Sequence, residues 1–179
     1  MVRKLILYIS MSLDGYLADA NDSLDFLSSI AKEGEDYGYK AFTAEVDTYI
    51  VGRKTYEVVL GLCNGVFPQA KDYDCYVISR QSKAPENGVT FYNGEIKALI
   101  NKLKSKEGKH IYCDGGGQIV SMLLAEELID EMIISVVPYM LGSGKRLFPG
   151  NYPEGKLKLL ELKNYATGLV QLHYQCNIT

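Results

Sequence analysis

After His110 the chain runs through a short strand-forming stretch, Ile111 to Cys113. It then passes Asp114, crosses three consecutive glycines, Gly115, Gly116 and Gly117, and enters an apolar-periodic helical pattern at once. A strand handed directly to a helix through glycine is half of a βαβ unit, and this junction narrows the fold more than any other segment. Glycines there let the backbone approach a ligand closely. They also leave unpaired N–H groups at the positive end of a helix, where a pyrophosphate binds well. Oligoglycine also serves as a plain tight turn, so the junction needs corroboration.

Two further strand ends supply it. In Tyr49-Ile-Val-Gly-Arg-Lys-Thr-Tyr56 an apolar run again meets a glycine, Gly52, followed by the cations Arg53 and Lys54 and the hydroxyl of Thr55. Thr55 can cap the next helix or bind a phosphate oxygen, while the cations add charge or form a solvated helix start. Tyr76-Val-Ile-Ser-Arg80 ends a third strand in the hydroxyl of Ser79 and the guanidinium of Arg80. Three strand ends bearing glycines or cations are what a sheet needs to hold a dinucleotide along its carboxyl edge.

The remaining periodicities agree. Leu5–Ile9 reads as a first strand, followed by a loop to about Leu24, and Asp36–Val46 as a helix weakened at Gly38. Strands are expected near Thr48–Val51, Cys75–Ser79, Val89–Phe91 and Met132–Tyr139. Glu95–Lys106 is amphipathic, with Ile96, Leu99, Ile100 and Leu103 on one face, and Gln118–Leu128 places Ile119, Met122 and Leu123 inward. Lys156–Tyr165 and Leu169–Asn177 alternate across Ala166-Thr-Gly168, an antiparallel hairpin. The expected fold is a single α/β domain over residues 1–179: a mixed, mostly parallel sheet, helices on both faces, and a C-terminal hairpin.

At 179 residues and 47% hydrophobic, the chain can bury a full core. A formal charge of −3 argues against nucleic acid as a partner, which requires a basic surface. Cys63, Cys75, Cys113 and Cys176 are scattered without C-x-x-C pairing, and His110 and His173 fall in strand-like segments, so no metal is expected. The two cations and apolar run of Met1–Ser10 have the outline of a signal peptide, but Ser10, Ser12 and Asp14 interrupt it. No stretch reaches the length of a membrane span, and a cytoplasmic protein is expected. Gly142-Ser-Gly-Lys-Arg146 lacks the first glycine and the Ser/Thr of a P-loop, and Gly115-x-Gly117-x-x-Val120 lacks the last glycine of the Rossmann fingerprint. The cradle is of another kind.

The order Ser12-Leu-Asp-Gly15, Gly52-Arg-Lys-Thr55, Ile78-Ser-Arg80, Gly115-Gly-Gly-Gln118 and Val137–Phe148 resembles the dihydrofolate reductase superfamily. The branch it is most similar to contains the C-terminal reductase domain of riboflavin-biosynthesis proteins of the RibD type. The zinc deaminase half of the bifunctional members has no counterpart here. The resemblance implies a dihydrofolate-reductase-like three-layer fold and hydride transfer from NADPH to a small heterocyclic substrate, pteridine- or ribosylaminopyrimidine-like. It implies that Gly52, Arg53, Lys54 and Thr55 hold the pyrophosphate and 2′-phosphate side of the cofactor, that Ser79 and Arg80 meet the 2′-phosphate, and that Gly115, Gly116, Gly117, Gln118 and Ile119 form the second pyrophosphate contact. Ser12–Ala18 corresponds to the loop closing over the nicotinamide, with Asp14 facing the pocket. Ser135 corresponds to a substrate-side hydroxyl, although an ordinary strand serine fits equally.

Departures from the folate enzymes bear on the substrate. Trp is absent and no Pro precedes Pro68, so the Leu-Pro-Trp motif is missing. Asp36 stands at a suitable distance before Gly52 to be the pterin acid, but a solvated helix-start aspartate accounts for it better. Asp14, Asp36 and Ser135 are the catalytic candidates. A reductase of a phosphorylated ribosylaminopyrimidine with Lys145 and Arg146 at the phosphate, a dihydrofolate reductase, and a non-catalytic NADPH binder remain as alternatives. The alternating hairpin and 14 tyrosines point to a homodimer.

Overall fold

A computed structural model describes residues 2–176. In chain order the strands are β1 (Leu5–Ser12), β2 (Tyr16–Ala18), β3 (Val46–Gly52), β4 (Asp74–Ile78), β5 (Val89–Tyr92), β6 (His110–Gly115), β7 (Glu131–Val137), β8 (Lys145–Arg146), β9 (Lys158–Asn164) and β10 (Val170–Gln175). The helices are α1 (Tyr39–Ala44), α2 (Arg53–Leu62), α3 (Ile96–Lys104) and α4 (Gly117–Ala125).

Eight strands form one sheet in the order β5-β4-β3-β6-β1-β7-β10-β9. From β5 to β7 every neighbour is parallel, and β10 then pairs antiparallel with both β7 and β9. The inner strands are covered on both faces, which is why β3 reads as a nearly unbroken apolar run rather than an alternation. On one face α3 and α4 bury Ile96, Leu99, Ile100, Leu103, Ile119, Val120 and Leu123 against Leu5, Leu7, Ile50, Ile111 and Ile134. The other face is aromatic: Tyr8, Tyr49, Tyr56, Phe67 and Tyr112 pack with Val51 and Val77, and Phe42 and Val59 lie against them. Several tyrosines therefore do find places in a core, contrary to the expectation that they mark an interface. The fold is the expected mostly parallel α/β sheet with a C-terminal antiparallel pair.

Three local expectations need correction. The helix expected over 36–46 begins only at Tyr39, because Gly38 adopts a left-handed φ of 81°, and it stops at Ala44 because Val46 already pairs in the sheet. The loop after β1 carries β2, which pairs antiparallel with β8. Met122 is exposed, while Val120 is fully buried: docking of α4 on the sheet turns the 119, 120 and 123 stripe inward. The hairpin turn closes through Gly168 at φ 84°, with its N–H donating to the Tyr165 carbonyl at 2.9 Å. Asn177, expected at its end, lies outside the described residues. No helix among the described residues is long and apolar enough to cross a membrane.

Candidate functional site

β3 and β6 are adjacent, and Val51 pairs with Gly115, so their carboxyl ends sit side by side. α2 and α4 begin at these two ends, and neither has a side chain capping its first turn. Their opening N–H groups are thus available to a ligand beside the glycines. Gly52 is required by close packing: a Cβ there would stand 2.8 Å from Ile119 Cγ1 and 3.6 Å from the Gly115 carbonyl oxygen. Thr55, in the first turn of α2, accepts the Gly116 N–H at 3.1 Å and so suspends the glycine turn from the neighbouring helix. Gly115 takes φ 89° and its peptide to Gly116 is cis. A Cβ on Gly117 would overlap the Arg146 carbonyl oxygen and lie 3.2 Å from that of Leu147. Gln118 is exposed, whereas Ile119 is buried in the core beneath the turn.

The cations occupy the same edge. Arg53 is exposed and pairs with Glu57 at 2.6 Å, one helical turn on, and Lys54 is exposed beside it. Ile78 pairs with Gly52, which places Ser79 and Arg80 just past the end of β4 on the same side. Ser79 Oγ accepts the Gln81 N–H at 3.1 Å, and Arg80 is exposed. The sheet topology therefore gathers Gly52–Thr55, Ser79–Arg80 and Gly115–Ile119 at one edge.

The expected catalytic residues are more scattered. The Asp14 carboxylate accepts the N–H of Leu141 at 3.1 Å, the N–H of Gly142 at 2.6 Å and the hydroxyl of Ser12 at 2.6 Å. These donors, Ser12 foremost, hold its pKa down at about 2. It joins two loops rather than turning a free carboxylate toward a pocket. Asp36 is exposed and accepts the N–H groups of Gly38 and Lys40 at 2.9 and 3.0 Å, which depress its pKa; this is the helix-start geometry. Ser135 is buried in β7, its hydroxyl 3.0 Å from Gln171 Nε2. The same amide donates toward the Tyr8 hydroxyl at 3.2 Å and the Tyr37 carbonyl at 3.1 Å, and Tyr8 itself donates to that carbonyl at 2.9 Å. Burial pushes the Tyr8 phenol up to about 12, so it stays a donor at neutral pH.

Sequence reasoning missed Asp114, the residue just before the glycines. Its carboxyl receives the Tyr112 hydroxyl at 2.8 Å and a short bond from the Tyr49 hydroxyl. Burial pushes its pKa up to about 6, against the opposing effect of the two phenols. An acid placed between an apolar strand and three glycines was the available signal. Tyr112 touches Tyr8 and Tyr39 edge-on, at centroid distances of 6.3 and 6.4 Å. A polar and aromatic row thus runs from the glycine turn through Asp114, Tyr112 and Tyr8 to Gln171 and Ser135. Beside it, a shallow groove of about 370 Å³ is lined by Tyr39, Lys40, Thr43, Pro68, Gln69, Asp72 and Tyr73. The groove borders this row at Tyr39 but includes none of the glycine-turn residues. Among the described residues no cluster of His, Cys, Asp and Glu is arranged to hold a metal ion.

The RibD C-terminal domain family model matches residues 3–171. The chain is 42% identical over 175 residues to the uncharacterized protein YwjB of Bacillus subtilis (strain 168), covering 97% of this chain and 98% of that protein. Among solved structures, a protein named for riboflavin biosynthesis from Shewanella sp. PV-4 superposes with a TM-score of 0.87 at 30% identity, covering 98% of this chain and 99% of that one. The Thermotoga maritima diaminohydroxyphosphoribosylaminopyrimidine deaminase/5-amino-6-(5-phosphoribosylamino)uracil reductase shares the fold, with a TM-score of 0.74 at 14% identity over 98% of this chain and 57% of that one. With its sheet order, its glycine turn and this likeness in hand, the chain belongs to the RibD C-terminal domain family.

Proposed function

We propose that this chain is an NADPH-dependent reductase of a small heterocyclic substrate, of the pteridine or ribosylaminopyrimidine kind. The observation that carries the reading is the meeting of two uncapped helix starts, α2 and α4, at a turn of three glycines hung from Thr55. That arrangement fits a pyrophosphate: the donors are backbone N–H groups, the dipoles are positive, and side chains are absent where the backbone must come close. Arg80 and Lys54 supply the charge that a 2′-phosphate needs, through charge-assisted bonds. Family membership supports an oxidoreductase.

The bound cofactor would supply the hydride. The residues of this chain bind, orient and hold protons. Gly52, Thr55 and Gly115–Gly117 form the cradle, and Ile119 fixes the position of Gly52 by contact. Asp114 is the acid best placed to hold a transferable proton, because burial keeps its carboxyl protonated to about pH 6 and it adjoins the cradle. Ser135, Gln171 and Tyr8 offer a fixed set of hydrogen-bonding groups on the same sheet face. Asp36, exposed and occupied by two amides, lacks the setting of a pterin acid. Dihydrofolate is accordingly expected to be a poor substrate.

Fluorescence titration with NADPH, followed by turnover on a phosphoribosylaminopyrimidine and on dihydrofolate, tests the reading. Binding of NADPH in the micromolar range with measurable oxidation on the pyrimidine is the expected result. No binding of either nicotinamide cofactor defeats it, and binding with no turnover on either substrate favours a non-catalytic NADPH binder.

A further inference from the structure

The loop after β1 and the segment after β7 are bolted together more tightly than a mobile lid requires. Asp14 accepts the Leu141 and Gly142 N–H groups, and Ser12 Oγ in turn accepts the Tyr16 N–H at 3.0 Å. Main-chain bonds run in both directions: Leu13 N–H to the Tyr139 carbonyl at 2.9 Å, and Leu147 N–H to the Gly15 carbonyl at 3.0 Å. β2 and β8 pair, and Arg146 lies over the Tyr16 ring at 4.7 Å with a bond of 3.0 Å to its hydroxyl. Gly144 packs so closely on the loop that a Cβ would overlap the Ala18 carbonyl oxygen. At the far end of this arm, the Arg146 and Leu147 carbonyls close over Gly117, and Leu17 Cδ1 stands 3.9 Å from where a Gly116 Cβ would be.

We infer that Asp14 is a positioning residue: it clamps the 138–147 arm to the 12–18 loop and so seats that arm against the glycine turn. The carboxylate suits the task because its two oxygens accept two successive amides, which a neutral side chain of the same shape cannot do. Without the clamp the arm retains its short β pairing and main-chain bonds but loses its anchor at the tip, and the wall that the third glycine packs on is held less firmly. The clamp stands on the geometry alone, and its effect on cofactor binding rests on the NADPH reading above.

Asp14→Ala and Asp14→Asn, each with and without Gly117→Ala, test this. In the parent, Gly117→Ala drives a methyl group into the Arg146 carbonyl and weakens NADPH. In the Asp14→Ala background the arm is free to yield, so most of that further loss disappears. Asp14→Ala alone raises the Kd and KM for NADPH by up to about tenfold, through the loosened arm rather than through a lost contact to the cofactor, while kcat at saturating NADPH stays within about twofold and its pH profile is unchanged. Asp14→Asn, which keeps one acceptor, falls between. Strictly additive losses, or a fall in kcat with a changed pH profile at unaltered NADPH affinity, overturn the inference; the second would make Asp14 a proton-transfer group. Hydrogen exchange tests the clamp without cofactor or the glycine variant. Asp14→Asn is expected to speed exchange at Leu141, at Gly142 and also at Gly116 and Val120, whose N–H groups are bonded to Thr55 and to the Gly116 carbonyl, and unchanged protection at Gly116 and Val120 sinks the clamp. If the parent fails to bind NADPH, the function proposed above fails while this exchange result still decides the clamp.

Discussion

Asp114 gives the clearest expectation for a single residue. Its pKa, pushed up to about 6, means the protonated form is retained about two pH units further than for an exposed aspartate. A proton held there is available below about pH 6 and lost above it, so hydride-transfer rates on a substrate that must be protonated are expected to fall as pH rises through that value. Asp114→Asn should abolish this limb in single-turnover measurements, and a limb surviving the substitution would assign the proton elsewhere. The linkage to stability has the same sign: a raised folded pKa stabilises the fold at low pH and loses that contribution as pH rises toward 6. Asp14 is the opposite case. Its depressed pKa contributes stability above the usual carboxylate range, lost as pH falls toward 2. Arg80 bears on cofactor choice: Arg80→Ala is expected to weaken NADPH about tenfold or more and leave NADH nearly unchanged, by loss of a charge-assisted bond of roughly 1.5–3 kcal/mol. Equal losses in a paired titration would show that Arg80 does not read the 2′-phosphate.

At the scale of elements, the cradle depends on how α2 and α4 meet. Gly52→Ala places a methyl where Ile119 already stands, an overpacking that costs about 1–3 kcal/mol and displaces α4 from β3. Thermal unfolding should register the loss, and NADPH affinity should fall with it; a fully stable variant with normal affinity would show that the helix has room to yield. Thr55→Val removes the acceptor of the Gly116 N–H while preserving shape, and about tenfold weaker NADPH is expected with little change in melting temperature. The amphipathic period made α3 legible residue by residue: Ile96, Leu99, Ile100 and Leu103 are all buried as expected. α4 was legible as an element but not in its rotation, since Met122 and Val120 differ in burial only through the angle at which the helix docks. The loop ribbon of β2 and β8 was invisible because it pairs residues far apart in sequence over only a few positions.

Over the whole molecule, the C-terminal hairpin leaves an apolar surface. β9 is an edge strand, and Leu159, Leu160 and Leu162 are 48%, 43% and 56% exposed, with Leu157 beside them at 37%. Exposed leucines on an edge strand are a common mark of self-association. Light scattering is expected to report a dimer at micromolar concentration and a monomer for Leu160→Lys with Leu162→Lys. A parent that is already monomeric removes this idea, and the exposed leucines would then need another account. The substrate side is likewise a whole-molecule property. A dihydrofolate efficiency within the ordinary enzyme range of roughly 10⁴–10⁸ M⁻¹s⁻¹, abolished by Asp36→Asn, would restore the pterin-acid role denied here.

By itself the sequence determined the order of the main helices and of the strands of the large sheet, that sheet's parallel character with its closing hairpin, and the strand ends bearing glycine, hydroxyl and cation, because each is written in local periodicity or in residues with a fixed backbone preference. It could not say what a carboxylate faces. Asp14, Asp36 and Asp114 are alike as letters; tertiary structure decides that one bridges two loops, one starts a helix and one sits half-buried against two phenols. The difference is physical: hydrogen-bond partners and desolvation come from chain segments tens of residues away, and only folding brings them within reach.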